Sequence, residues 1–296
     1  MARMSWQEAC LLDGSLQSLD HFFNGSPTYA QTLTGGLTNR CWKVVLPNND
    51  CYVWRPITPI TTAFAISRIQ EYQLLSSIES SRLGPKAILV NEHGLLVEWI
   101  EGESLASGLS FDSLLKTMVA IHSLDTSRVP VAPFSFTARV DHYWLQIAEN
   151  YKNDDLKSLY QRYRSAPSLP DVGTVLCHFD LAGYNMVKTE SSHRVIDWEY
   201  ASIADPRLDL TLSIHVAQQQ PLESVYRYCQ LREIEGVDDW VEGVLAWLPR
   251  IQMMSMLWYQ LAYQLWGDDQ FLIESQSLIK AFNDGSITHA DTKIIT

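Results

Sequence analysis

The chain has 296 residues, 46% of them hydrophobic and 19% charged, which is long for a single core and suits one large domain or a two-lobed molecule. Its formal net charge of −12, with no basic run, argues against a nucleic-acid or anionic-membrane surface and favours a small cationic partner. Five cysteines (Cys10, Cys41, Cys51, Cys177, Cys229) without a C-x-x-C pair, a start without an apolar signal core and no run of about 18 apolar residues predict a cytoplasmic protein with reduced thiols.

In chain order, Leu11, Leu12, Leu16, Leu19, Phe22 and Phe23 predict a short amphipathic helix within residues 5–23. Three β-type runs follow, 29–33, 40–46 and 51–57, whose turn-rich separators make two consecutive hairpins. The first separator is Thr34-Gly35-Gly36-Leu37-Thr38-Asn39, where glycines lacking Cβ let backbone N–H groups approach phosphate oxygens and the hydroxyls of Thr34 and Thr38 add donors. The third run carries Arg55, and a helix predicted over 61–81 carries Glu71. In kinase-like lobes a basic residue on the third strand reaches the α- and β-phosphates and is held by a helix carboxylate, a pair that Arg55 and Glu71 would supply. Glu79 is a second candidate for that brace. Strands are predicted at 87–90 and 95–100, joined by Asn91-Glu-His-Gly94. The extended stretch that follows makes Glu98 to Ile100 the candidate hinge, offering backbone groups to an adenine edge.

Beyond the hinge the apolar spacing becomes helical, over 105–124 and 140–163, around a Pro-containing loop at 126–137. His122 is expected to pack in the core. A hairpin at 174–198 comes next, Pro206 opens another helix, and four helical stretches with aromatic residues complete the chain.

The hairpin holds the most informative pattern, His178-x-Asp180-x4-Asn185 between apolar runs, then Val195-Ile-Asp197-Trp-Glu199. Phosphoryl transfer needs positioning and neutralisation of spread negative charge more than covalent help. A carboxylate must stand beside the attacking hydroxyl, which suits Asp180, and hard oxygen ligands must hold Mg²⁺ against the phosphates, which suits Asn185 and Asp197. The spacing is that of kinase catalytic loops, with Phe179 in place of Arg and Ile-Asp-Trp in place of Asp-Phe-Gly.

With Gly35-Gly36, Arg55, Glu71, this loop, Ile196-Asp-Trp-Glu-Tyr200 and Asp205-Pro-Arg-Leu-Asp209-Leu, the sequence resembles the aminoglycoside phosphotransferase and choline kinase superfamily. The resemblance implies an α+β, two-lobed, protein-kinase-like fold: a small antiparallel-sheet lobe over 1–100 that binds the nucleotide, a hinge near 98–102, and a mostly helical lobe over 103–296 for catalysis and substrate. It implies ATP and Mg²⁺ as cofactors and assigns Asp180 to the alcohol, Asn185 and Asp197 to the metal, and Arg55 with Glu71 to the phosphates. His178 would hold the loop through hydrogen bonds, and Asp209 would anchor it from the following helix. Trp198-Glu199 departs from Phe-Gly, so no protein-kinase activation switch is expected.

Within the superfamily, Ile196-Asp-Trp-Glu-Tyr-Ala201, Trp247-Leu-Pro-Arg-Ile and Trp266-Gly-Asp-Asp-Gln-Phe271 look like bacterial thiamine kinases, implying transfer of the γ-phosphate of ATP to the thiamine hydroxyl. A thiazolium cation is best met by aromatic faces and carboxylates. Trp240, Trp247, Trp258, Tyr259, Tyr263 and Trp266, with Asp238, Asp239, Glu242, Asp268 and Asp269, are the supply, and Glu199, Asp205, Trp258 and Trp266 are the substrate candidates. Choline or another amino-alcohol would suit the same surroundings, while aminoglycosides would call for more carboxylates. A non-catalytic nucleotide-binding module would be expected to lack Asp180, Asn185 or Asp197, and all three are present.

Overall fold

The computed structural model describes residues 3–23, 25–33 and 40–285. Its elements begin with β1 (Arg3–Met4), α1 (Trp6–Leu12), β2 (Tyr29–Thr32), β3 (Trp42–Val45), β4 (Cys51–Pro56), α2 (Pro59–Ala63) and α3 (Arg68–Ser77). Then come β5 (Ala87–Asn91), β6 (Gly94–Glu98), β7 (Glu103–Ser104), α4 (Phe111–His122), α5 (Phe136–Gln146) and α6 (Asp154–Tyr163). The chain continues through β8 (Val175–Cys177), β9 (Met186–Lys188), β10 (His193–Val195), β11 (Ser202–Ala204), α7 (Pro206–Val216), α8 (Pro221–Arg232), α9 (Val237–Trp266) and α10 (Asp269–Asn283). The described residues within 1–107, 125–131 and 183–201 make one compact unit, and those within 108–124, 132–182 and 202–285 make another.

In the first unit β1 to β6 form a six-stranded sheet in the order β1-β2-β3-β4-β6-β5, with antiparallel pairing throughout. Trp42 stands opposite Trp54 in the register and both are fully buried with Ala30, Val44 and Leu96. Leu16 and Leu19 seal that face. The indole N–H groups still need acceptors in this dry setting. Trp42 Nε1 donates to Asp13 Oδ2 at 2.8 Å and Trp54 Nε1 to Ser15 Oγ at 2.9 Å. β9 pairs with both β10 and β7, so the segment around Asn185 and Asp197 belongs to this unit. Gly102 is required where β7 begins: its φ is +156°, and an added Cβ would strike the Lys188 carbonyl.

In the second unit the helices pack around α9, which runs for 30 residues despite Pro249 and buries Val244, Ile251, Met253, Leu257 and Leu261 against α5, α6, α7, α8 and α10. β8 and β11 form a two-stranded ladder there.

The α+β class stands, while several local expectations give way to caps and turns. The helix expected over 5–23 is interrupted at Asp13, whose extended backbone and Oδ1 bond to Ser15 N–H end α1 and start a 3₁₀ turn over Gly14–Leu19. Leu11 is consequently 87% exposed, off the core. The 61–81 helix divides at Ala65, which has φ of 56°, and restarts from the Ser67 cap. The 105–124 helix begins only at Phe111, after the Ser110 cap, because 103–104 add a strand. The 140–163 helix is two, with Asn153 capping the second. The hairpin expected over 174–198 is narrower: β9 pairs with β10, while β8 turns to β11. Three helices, not four, follow the one opened by Pro206 among the described residues.

Candidate active site

β8 delivers His178, Phe179 and Asp180 into a loop. Phe179 has φ of 63°, a conformation that a bulky side chain adopts only when held there. The holder is Asp209, buried on α7. Its Oδ2 accepts from the His178 N–H at 3.0 Å and its Oδ1 from the Phe179 N–H at 2.8 Å. His122, at the end of α4, secures Asp209 in turn, with Nε2 3.0 Å from Oδ2 and Nδ1 2.6 Å from the Tyr228 hydroxyl. An Nε2–H donating to the carboxylate and an Nδ1 accepting from the phenol satisfies all three groups. Burial acts to raise the Asp209 pKa, but the bonds from His122 and the His178 backbone outweigh it and hold the carboxyl below its ordinary range. Burial drives the Tyr228 phenol far up, so it remains a donor. His178 is fully buried and its Nδ1 accepts from the Asp180 N–H at 3.3 Å, while Asp180 itself is partly exposed. The ligand atoms of His122, Cys177 and Asp209 lie within 4.8 Å of one another. Burial and the neighbouring Asp209 push the Cys177 thiol well up, its Sγ faces the Ala204 and Asp205 carbonyls at 3.8 Å, and Asp209 already accepts three donors, so these are satisfied core groups.

In the first unit, Asn185 is buried in a 3₁₀ turn (Gly183–Asn185), and its carbonyl accepts from the Ile196 N–H at 2.9 Å. The two expected metal ligands, Asn185 and Asp197, therefore stand on adjoining segments. Asp197 pairs with Arg55 Nη2. Arg55 also meets Glu71, with Nε 3.1 Å from Oε1 although its N–H is not aligned for a hydrogen bond, and Glu199, with Nη2 2.8 Å from Oε2. A residue that sequence reasoning missed completes the group: Arg68 Nη1 is 2.5 Å from Glu71 Oε2 and 3.0 Å from Glu199 Oε2. Burial works against the charge on both arginines, and the carboxylates, Asp197 foremost for Arg55 and Glu71 for Arg68, hold both guanidinium pKa values above the usual range. The signal for Arg68 was its i, i+3 spacing to Glu71.

Of the expected hinge, the backbone is only partly bare. The Glu98 N–H donates to Lys86 O at 2.9 Å and the Trp99 N–H to Cys51 O at 3.2 Å. The Glu98 carboxylate is gripped by the Arg194 fork at 3.2 and 3.0 Å. Ile100 follows, buried. Gly35, Gly36 and Thr38 lie outside the described residues.

The acceptor-side candidates separate by burial. Trp240 packs on Tyr228 and Trp247 on Phe136, both in the core. Tyr263 meets Tyr151. Asp238 and Asp239 lie in the first turn of α9, Asp269 in that of α10, and Asp268 caps α10. Asp205 caps α7 and is gripped by Arg207, and Glu199 meets two arginines. Trp258 and Trp266 differ: with Tyr259 and Phe271 they form a half-buried cluster, its ring centroids 5.2 to 6.5 Å apart. Burial, then the charges of Glu274 and Asp180, raise the Tyr259 phenol pKa, which ties this cluster electrostatically to the loop carboxylate. Glu274 was not among the sequence candidates and Phe271 was named only within the Trp266–Phe271 stretch, although their i, i+3 spacing on one helix face was readable.

Residues 30–243 match the family described as "Phosphotransferase enzyme family". A thiamine kinase of Salmonella paratyphi C is 24% identical over 214 residues, 69% of this chain and 73% of that protein. A thiamine kinase of Escherichia coli O17:K52:H18 is 23% identical over 243 residues, 81% of this chain and 85% of that one. Among solved structures, the choline kinase LicA of Streptococcus pneumoniae superposes with a TM-score of 0.67 at 19% identity, covering 94% of this chain and 99% of its own. Among the described residues no helix is long and apolar enough to cross a membrane. With 214 consecutive residues matched and the kinase-like fold present, the chain belongs to the phosphotransferase enzyme family.

Proposed function

We propose that this phosphotransferase moves the γ-phosphate of ATP to the hydroxyl of thiamine, giving thiamine monophosphate, in the cytoplasm. The observation that carries the acceptor class is the half-buried cluster of Trp258, Tyr259, Trp266 and Phe271 with Glu274, electrostatically linked to Asp180. Aromatic faces and a carboxylate attract a fixed cation at about 0.5–2 kcal/mol per ring contact. The likeness to thiamine kinases favours thiamine as that cation.

In this reading Asp180 accepts the proton of the alcohol as its oxygen bonds to the γ-phosphorus, and the bond from that phosphorus to the β-phosphate oxygen breaks to release ADP. Arg55 contacts the phosphates, Glu71 braces it, and Gly35, Gly36 and Thr38 supply donors over them. The Glu98 carbonyl and Ile100 N–H receive the adenine edge. The lobes expected at 1–100 and 103–296 take the nucleotide and the acceptor respectively. Asn185 and Asp197 suit Mg²⁺: both offer hard oxygens on adjoining segments, and Asp197, 24% exposed, is the most accessible carboxylate of its ion cluster. Bound there, the metal would neutralise charge between the β- and γ-phosphates.

Choline is the second reading, since a quaternary ammonium fits the same cluster and the choline kinase fold is shared. A panel of thiamine, choline and aminoglycosides, scored by ADP release with Mg²⁺-ATP, decides between them. Turnover of choline without thiamine would overturn the acceptor assignment.

A further inference from the structure

Arg55, Glu71, Arg68 and Glu199 form a closed ring of alternating charge. Glu71 faces Arg55 with Oε1 and Arg68 with Oε2, and Glu199 Oε2 faces both guanidinium groups. Three separate pieces of chain build the ring: β4 supplies Arg55, α3 supplies Arg68 and Glu71, and the segment after β10 supplies Glu199. The four side chains are at most 10% exposed and Arg68 is at 0%. Two cations and two carboxylates cancel, and Asp197 joins the ring at Arg55 Nη2, the same nitrogen that meets Glu199.

Arg68 is the member that local energetics would not select. It is the first residue of α3, directly after the Ser67 cap, where the helix dipole disfavours a cation. Its placement is explained by the two carboxylates it meets. Without it, Arg55 alone would face Glu71, Glu199 and Asp197 in a buried space. Three carboxylates would draw its guanidinium inward and leave an uncompensated negative field where phosphate must approach.

We propose that Arg68 is a positioning residue for nucleotide binding: by neutralising Glu71 and Glu199 it weakens their hold on Arg55, so that this guanidinium can turn to phosphate and Asp197 to metal. The assignment rests on Arg55 being the phosphate-contacting residue. It also explains why a β-strand arginine, which can span two partners with one fork, serves here.

The test is Mg²⁺-ATP binding by calorimetry on the full chain without acceptor, so the identity of the alcohol does not enter. Arg68→Met should weaken binding roughly tenfold or more, as loss of one partner from a buried ion group does. Arg68→Met/Glu199→Gln, which restores charge balance, should bind at least about threefold more tightly than Arg68→Met; a merely structural role would make the double variant no better. Should Arg68→Met fail to fold, Arg68→Lys carries the test. It keeps the charge without the fork, and a loss of roughly threefold or more is expected. Binding unchanged in the folded Arg68 variant, or no recovery in the double variant, overturns the proposal. Arg55→Met separates the two levels: unchanged binding there overturns the phosphate role of Arg55 and the Arg68 assignment with it. Loss in Arg55→Met with none in the Arg68 variant overturns Arg68 alone.

Discussion

Replacing Asp209 by Asn tests the loop anchor with almost no change of shape. The carboxylate accepts from three donors, the His178 N–H, the Phe179 N–H and His122 Nε2, and it is buried. An amide keeps one oxygen, which can serve Phe179. Its NH₂ then faces the other two donors. His122 can recover by exchanging tautomer, with Nε2 accepting from the amide and Nδ1–H turned to the Tyr228 oxygen. The His178 N–H cannot recover, and a buried donor left unmet costs about 1–3 kcal/mol. Loss of charge assistance on the surviving bond adds about 1 kcal/mol, so Asp209→Asn should destabilise the protein by about 2–4 kcal/mol. At about 2–4 °C per kcal/mol, calorimetry should show Tm falling by about 4–16 °C. Because Phe179 is held at positive φ by the same carboxylate, the variant should also lose kcat by more than tenfold at temperatures where it is fully folded, from misplacement of Asp180. A Tm and a kcat both equal to wild type would refute the anchoring role.

Two further outcomes follow from the same geometry. Trp258→Leu keeps an apolar residue in the cluster but removes the strongest quadrupole, so the KM for a cationic acceptor should rise roughly 3- to 30-fold with the KM for ATP unchanged, measured by initial rates. Asp209 has a folded-state pKa below its unfolded value, so its contribution to stability is present above the unfolded carboxylate pKa and is lost as pH falls through the depressed one. Acid titration followed by circular dichroism should therefore show Asp209→Asn losing less stability than wild type between neutral pH and pH about 3; parallel losses would contradict the sign of that shift.

What could be read from the sequence was what nearness along the chain encodes. The His178, Asp180 and Asn185 spacing lies in one loop, turn-rich separators mark off the β-type runs from Tyr29 to Glu98, and Pro206 after Asp205 marks a helix start that the structure keeps. The interrupted helices were less legible because apolar spacing carries across a cap: Leu11 and Leu12 fit a helical stripe, yet Asp13 redirects the chain before they reach the core. Burial was the second missing quantity. Nothing local distinguishes Trp247, locked against Phe136, from Trp258, half open beside Tyr259, or tells that Glu199 meets two arginines. Those differences arise from segments more than 100 residues apart, as with Arg55 and Glu199 or His122 and Tyr228.

Steady-state ADP formation by wild type, Asp180→Asn and Asp197→Asn, at saturating Mg²⁺-ATP and thiamine, tests the central claim most directly. Each substitution should lower kcat by roughly 10²–10⁴ while the protein remains folded, one by removing the proton acceptor and the other a metal ligand. Wild-type turnover by either variant would contradict the account.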